Sequence, residues 1–563
     1  MPSHLDANTG DAPGKMSNSS GFSYGGHLEN KNSITSIEYE PSIASRHSSI
    51  EDEGPVVTPH MGLLSSCNMI VGLIIGSGIF ASPGPVTLKV HSVGASLVIW
   101  AIGGILSMIG ALCYAELGTM ITKSGGEYQY LKYAYGLCAG LTFSWANLLL
   151  TNPIGTASIA TVFAQYIMEM AYFDPENPAN AKANMPSYAL KLVTIGCIWV
   201  VVLFNAFGRK AGAMIANVFT AAKLLALVMI IIIGWVWIGK GNVQNFQHAF
   251  DNSSSNALDY GTAMYMALFS YNGWNNLNYG IAEVKNPKRI LPLAITISCT
   301  IVTIVYILGN IAYFATLPVD TVSTSTTVAM QLGMVAMGKG GAYFFALMVI
   351  FSTFGAVNGN VWAASRLIMA AANEDSVYMP PFFGKLDEKR DTPIRALVLV
   401  GVIATIWSIP GDFTYLANMY SFTGWLFYGI AIFGLILMRF KKSTKNMHRP
   451  FKIWLPLAMF FVLIDIYLVV APLIDAGSEG VYQYIICIIV GLLAIPIWFV
   501  RVKKPWIGRK LWGWIPGYQD AGILKARERK QARKARDAAA ALEQETALEQ
   551  RASVVVDSEK IQY

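Results

Sequence analysis

The stretch IVGLIIGSGIFASPG, residues 70–84, decides how this chain is read. It is apolar enough to lie in a membrane, yet Gly76-Ser77-Gly78 stands in its middle and Pro83 follows soon after. Three consecutive poor helix formers should break a helix there, where no water can satisfy the freed backbone. A lone glycine-rich patch would be read as a close-packing face. A second break changes that. The stretch ALFSYNGWNNLNYGIAEVKNP, residues 267–287, carries the polar run Tyr271-Asn272-Gly273-Trp274-Asn275-Asn276. Two interrupted helices therefore stand roughly 195 residues apart, each opening a block of about five helices. Paired interruptions at matching positions are the sequence mark of a transporter's ligand site. An odd repeat length also inverts the second block relative to the first.

Composition sets the class around these breaks. Of 563 residues, 54% are hydrophobic and 13% charged, and mean hydropathy is +0.45. Soluble domains carry about 25% charged residues. Apolar runs predict an all-α integral membrane protein with about twelve spans of roughly 20 residues. They lie near 61–88, 92–118, 137–172, 187–207, 211–239, 258–284, 289–316, 340–373, 394–410, 413–439, 453–475 and 481–502. The repeats then cover about 61–239 and 258–439, with helices 11 and 12 completing a transporter domain over 61–502. One set of loops holds the basic clusters Arg209–Lys210, Lys285–Arg289, Lys385–Arg395 and Arg439–Lys452. The other set holds little beyond Lys89, Lys182, Lys240 and Lys339. The positive-inside rule puts the first set, and both termini, in the cytoplasm. The net charge of +7 follows from this bias and calls for no nucleic-acid partner.

The polar segment 1–60 reads as a disordered cytoplasmic tail without a signal peptide. Segment 503–563 reads as a partly helical cytoplasmic tail, with a basic run able to graze anionic lipid. Asn18 and Asn252 begin Asn-x-Ser sequons, and only Asn252 falls in an outer loop open to glycosylation. Six cysteines, none in a CxxC pair, lie in or beside helices and read as packing residues, with no metal site.

The breaks also suggest a cargo. Free N–H groups at a half-helix N-terminus favour an anion, and free carbonyls at the other break favour a cation. A ligand with both charges on one carbon is an α-amino acid. Gly76 and Gly78 would let the backbone approach it closely, and Ser77 adds a hydroxyl.

IIGSGIFASPG resembles the first-helix motif of the L-type amino acid transporters, within the amino acid–polyamine–organocation superfamily. CYAELGTMITKSGGEYQYL (113–131), FSYNGWNNLNYGIAEVKNPKRILPLAI (269–295) and FGAVNGNVWAASRLIMAAANED (354–375) are similar to further family segments, in order over about 60–500. The resemblance implies two inverted five-helix repeats plus two helices, and transport by alternating access without covalent chemistry. It places the substrate carboxylate at Ser77 and Gly78, and the amino group at the carbonyls of Ile74, Phe269 and Asn272. Phe269 would gate the site, with Trp274 and Asn275 on its wall. Asn272 replaces a residue that is often small in the family, so it should reshape the pocket or bond the ligand. The loop at 172–188 lacks the cysteine through which animal relatives join a single-span partner, so no disulfide-linked heavy chain is expected. The long polar N-tail fits fungal members resembling methionine permeases, which suggests the plasma membrane, with ubiquitin-dependent trafficking machinery acting on the tails.

Lys223 lies inside the fifth helix, where a charge is costly and a functional candidate. By resemblance it takes the place of a sodium ion. Two roles stay open: a fixed cation bonding the first and eighth helices, or the carrier of a coupled proton. No cofactor is expected. Glu116, Glu283 and Arg366 are expected to form gate or structural pairs near the cytoplasmic face, and Asp465 a satisfied buried polar group. No carboxylate falls at either break or on LLLTNPIGTA (148–157), which favours a neutral cargo. Phe269, Trp274 and Trp425 suggest a lining suited to methionine, leucine or an aromatic amino acid. All seven histidines lie in tails or loops and no acid–base or metal constellation appears, which argues against an enzyme. No polar rings suggest a channel. An amino acid sensor with weak transport, or an exchanger of neutral and cationic amino acids, are the alternatives.

Overall fold

A computed structural model describes residues 59–500 and 507, apart from 124, 174–185, 208, 375–380, 388–389 and 391. The expected disordered N-tail, the C-tail and most of the 172–188 loop therefore lie outside the described residues. The rest is helical, without strands among the described residues apart from isolated bridges.

The first span is three pieces: α1 (Leu63–Ile74), α2 (Gly78–Ala81) and α3 (Pro83–Val90). Next come α4 (Val93–Met120) and α5 (Glu127–Tyr135), a short amphipathic helix with no counterpart among the expected spans. The third span is α6 (Leu137–Ala146), a π turn (Asn147–Thr151) and α7 (Asn152–Ala171). Helices α8 (Ser187–Phe207) and α9 (Arg209–Gly239) end the first repeat. The second opens with α10 (Ala257–Tyr271), which stops at Asn272 and continues only as 3-10 turns at Asn276–Asn278 and Ile281–Glu283. Then follow α11 (Pro287–Thr316), α12 (Val319–Thr324), α13 (Val328–Glu374, bent at Gly338), α14 (Ile394–Ser408) and α15 (Phe413–Phe440). Beyond the repeats lie α16 (Leu455–Asp475), α17 (Tyr482–Leu492) and α18 (Ala494–Trp498).

Among the described residues, eight stretches are long and apolar enough to cross a membrane, the first taking in α1 and α2 together. The other expected spans are interrupted or shorter. The described residues are thus helical and apolar, with a broken helix opening each of the two five-span blocks. Its outer faces expose large apolar side chains such as Leu192, Ile304 and Leu463, which a bilayer accepts and water does not. Local caps hold the helix starts: Ser92 Oγ accepts from Ala95 N at 3.3 Å, and Asp412 Oδ1 from Tyr415 N at 2.9 Å.

The π turn in the third span has a cause in sequence. Pro153 has no N–H, so the carbonyl of Leu149 four residues earlier loses its helical donor. The Trp407 indole on α14 donates to that carbonyl at 2.8 Å. Proline thus frees a backbone acceptor, and a distant side chain satisfies it, as membrane burial requires.

Asp465 on α16 departs from expectation. It is buried, its Oδ1 has no hydrogen-bond partner, and its other oxygen occupies the space where a Cβ on Gly429 would be. It is a buried acid that is not satisfied.

Candidate functional site

The two breaks touch. Gly273 has φ of +120°, and a Cβ there would lie 3.1–3.2 Å from the backbone of Leu73 and Ile74, so only glycine suits both the conformation and the approach. Tyr306, in the middle of α11, ties them together. Its hydroxyl donates to the carbonyls of Ile74 at 2.9 Å and Ser270 at 3.0 Å, one on each side. On the first break, Lys223 Nζ donates to the Gly72 carbonyl, and Ser352 Oγ on α13 reaches the Gly76 carbonyl at 3.5 Å. The buried lysine thus sits against the unwound first helix.

Gly78 is required by packing. A Cβ on it would lie 2.4 Å from Ser270 Cα, so its absence lets the first span press on the sixth. Gly76 is different, since a Cβ there would meet only Ile74 O at 3.9 Å.

A cavity of about 1360 Å³ surrounds the breaks. It reaches from Ser77 and Gly78 to Met61, Glu283 and Arg366, on the face that bears the basic loops. Phe269 also lines it, packed edge-on against Phe413 at 5.4 Å and Tyr420 at 5.5 Å. Ile74, Ser77, Gly78, Phe269, Asn272, Asn275 and Lys223 all line it. The structure thus gathers these sequence-chosen residues in one cavity.

Trp274 and Trp425 are corrections, because neither lines the cavity. The positive φ at Gly273 turns Trp274 away, into Tyr114 at 5.0 Å and Tyr428 at 4.8 Å. On α15 the cavity face is Tyr420, Gly424, Phe427 and Tyr428. Trp425 stands about 100° around the helix from Gly424 and stacks on Phe461 at 5.5 Å. Asn272 is held at both ends: Tyr420 OH donates to its Oδ1 at 2.8 Å, and its Nδ2 donates to Tyr428 OH at 3.1 Å. Its amide braces the wall. The Phe269 carbonyl accepts from Asn272 N at 3.3 Å. Phe269 and Ile74 carbonyls therefore each carry one protein donor, and a carbonyl has a second lone pair to offer.

Among the charged residues, Glu116 takes the structural-pair alternative. It does not line the cavity. It is fully buried against Arg439, with Arg449 Nε at 3.4 Å, and accepts from Ile453 N at 2.9 Å, joining α4, α15 and the segment before α16. Glu283 stands half-exposed at the cavity mouth, 3.9 Å from His60. Its carbonyl accepts from His60 N and Met61 N, each at 2.9 Å, tying the start of the first span to the end of the sixth. Arg366 lies over the Trp362 ring at 4.2 Å.

The sequence reading missed Glu127. It opens α5, outside the spans, and is wholly buried while lining the cavity. Its Oε1 accepts from Asn275 Nδ2 at 2.6 Å, so it grips the second break. Burial pushes its carboxyl above the ordinary value, opposed by the hydrogen bond from Asn275. No cation pairs with it among the described residues. The motif SGGEY offered the signal: an acid directly after two glycines, both at positive φ.

Comparison with known proteins gives the family. The family model described as "Amino acid permease" matches residues 61–495. The chain is 41% identical over 451 residues to the mouse b(0,+)-type amino acid transporter 1, covering 80% of this chain and 89% of that protein. It is 36% identical over 447 residues to the human cystine/glutamate transporter, covering 79% and 86%. Over 452 residues it is 35% identical to the mouse large neutral amino acids transporter small subunit 2, covering 80% and 82%.

Proposed function

The chain belongs to the amino acid permease family, and from that premise we propose that this amino acid transporter carries neutral L-amino acids by alternating access. One observation carries the proposal: two broken helices meet backbone to backbone inside a cavity that Phe269 lines, packed on Phe413 and Tyr420.

The steps follow from the residues. The first N–H groups of α2, at Ser77 and Gly78, have no partner inside the helix. They lie at its positive end and receive the substrate carboxylate. The second lone pairs of the Ile74 and Phe269 carbonyls, with the Asn272 carbonyl, receive the ammonium. Phe269 must swing off Phe413 and Tyr420 for the cavity to open on the far side. Tyr306 holds the breaks together while the surrounding helices rock. Lys223 acts as the fixed cation on the unwound first helix, in support of which its ammonium bonds the Gly72 carbonyl.

We read the open face as cytoplasmic from its basic loops, with both termini inside, and the long polar N-tail supports the plasma membrane as its site. The charged residues lining the cavity, Glu127, Lys223, Glu283 and Arg366, all have partners on the protein. A neutral cargo, methionine or another large neutral amino acid, fits that best. The transporter works without a disulfide-linked heavy chain. Radiolabelled methionine and leucine uptake into cells expressing the chain tests the function. Saturable uptake is expected; binding without uptake would make the protein a sensor.

A further inference from the structure

Opposite the breaks, the cavity wall formed by the third and eighth spans is built from uncharged amides. Asn147 in the π turn, Asn152 at the start of α7 and Asn360 on α13 all line the cavity. Asn152 Nδ2 donates to Asn147 Oδ1 at 3.0 Å. That bond leaves Asn152 Oδ1 as an acceptor and Asn147 Nδ2 as a donor. Gly155, one turn along α7, lets Tyr420 and Asn360 pack close beside them. A Cβ there would lie 2.8 Å from the Tyr420 ring and 3.3 Å from Asn360 Nδ2. Tyr420 in turn packs on Phe269 and donates to Asn272. The amide wall thus adjoins the level of the breaks, and the Asn360 amide has no hydrogen bond among the described residues. Ile159 and Ala356 supply an apolar margin.

Donors and acceptors facing a cavity are satisfied by water or by a ligand. An apolar side chain entering here would displace that water and leave the amides unpaired. A carboxylate or ammonium would find no opposite charge on this wall. A carboxamide offers both a donor and an acceptor, as the wall does.

We propose that Asn147, Asn152 and Asn360 form a side-chain subsite for neutral hydrogen-bonding groups, so that glutamine is carried in preference to methionine. This rests on the neutral amino acid transport set out above and narrows it. Glutamine and methionine have similar length, so the pair isolates the amide. Selectivity from hydrogen bonding is large where a site is built for it, and discrimination of about tenfold or more is expected.

The test is radiolabelled uptake in proteoliposomes of the full chain, comparing glutamine, methionine and norleucine. Glutamine should exceed methionine about tenfold or more in kcat/KM. Asn360→Ala and Asn152→Ala should each bring the glutamine-to-methionine ratio to about one. Methionine uptake equal to or above glutamine in the unsubstituted protein overturns the subsite and leaves the transport proposal standing. So does a ratio that neither substitution moves. Failure of all twenty amino acids to be taken up or to raise the melting temperature overturns both.

Discussion

The first break lasts three residues and helix resumes at once at Gly78. The second never regains an α-helix before Pro287 and proceeds through 3-10 turns. The first break brings almost no side chains of its own. Its backbone is satisfied from outside, by Lys223, Tyr306 and Ser352 on three other spans. The second break supplies its own amides. Asn272 braces Tyr420 and Tyr428, Asn275 grips Glu127, and Asn278 accepts from Tyr130 OH at 2.9 Å. A short break can leave its amides to a ligand because neighbours hold its carbonyls. A long break must be staked down by side chains along its length, since lipid offers no partner.

The contrast can be broken at four points. Gly273→Val should have the largest effect, because it opposes a φ of +120° and drives a side chain into Leu73 and Ile74. Uptake should be abolished and stability should fall by about 1–3 kcal/mol, read as the melting temperature of the purified protein. Wild-type uptake would show that the breaks need not touch. Tyr306→Phe comes next. It removes one hydroxyl and leaves two buried carbonyls short of a donor, costing about 1–3 kcal/mol. Surface expression should persist while uptake falls roughly tenfold, at 1.4 kcal/mol per decade.

Lys223→Met separates the two lysine roles. With the lysine a fixed cation, uptake should drop several-fold while its dependence on pH keeps its shape. Loss of the pH dependence would make it the proton carrier instead. Glu127→Gln should have the smallest effect on uptake at low pH, and it sharpens the second break. Burial raises the Glu127 carboxyl above 4.5, so the folded protein holds that proton more tightly than the unfolded chain does. Its contribution to stability is therefore full below the ordinary carboxyl value and is lost as pH rises through the raised one. Melting temperature should decline with pH over that window in the natural protein and stay flatter in the Gln variant.

At Gly78 the structure shows a packing reason for the glycine. The sequence suggests that glycine lets the backbone meet a ligand, whereas the structure shows Ser270 filling the missing Cβ position. Loss of uptake in Gly78→Val would report helix packing, and Gly76, with open space beside it, is the better probe of ligand approach. The trio Trp274, Trp425 and Glu116 teaches the same point. Each is of a type that often serves a site, and each faces another helix. Residue type is visible in a sequence, but the direction of a side chain depends on a local φ or on its place around a helix.

The sequence alone determined the membrane class, because hydropathy over about 20 residues is a local property. It also determined both breaks, because Gly, Ser and Asn weaken a helix wherever they stand. What only the tertiary structure decided are pairings across 148 to 232 residues: Asn275 with Glu127, Tyr420 with Asn272, Tyr306 with Ile74. The amide wall of Asn147, Asn152 and Asn360 belongs with them. Those residues share no motif, and only the packing of the third span on the eighth brings them to one cavity.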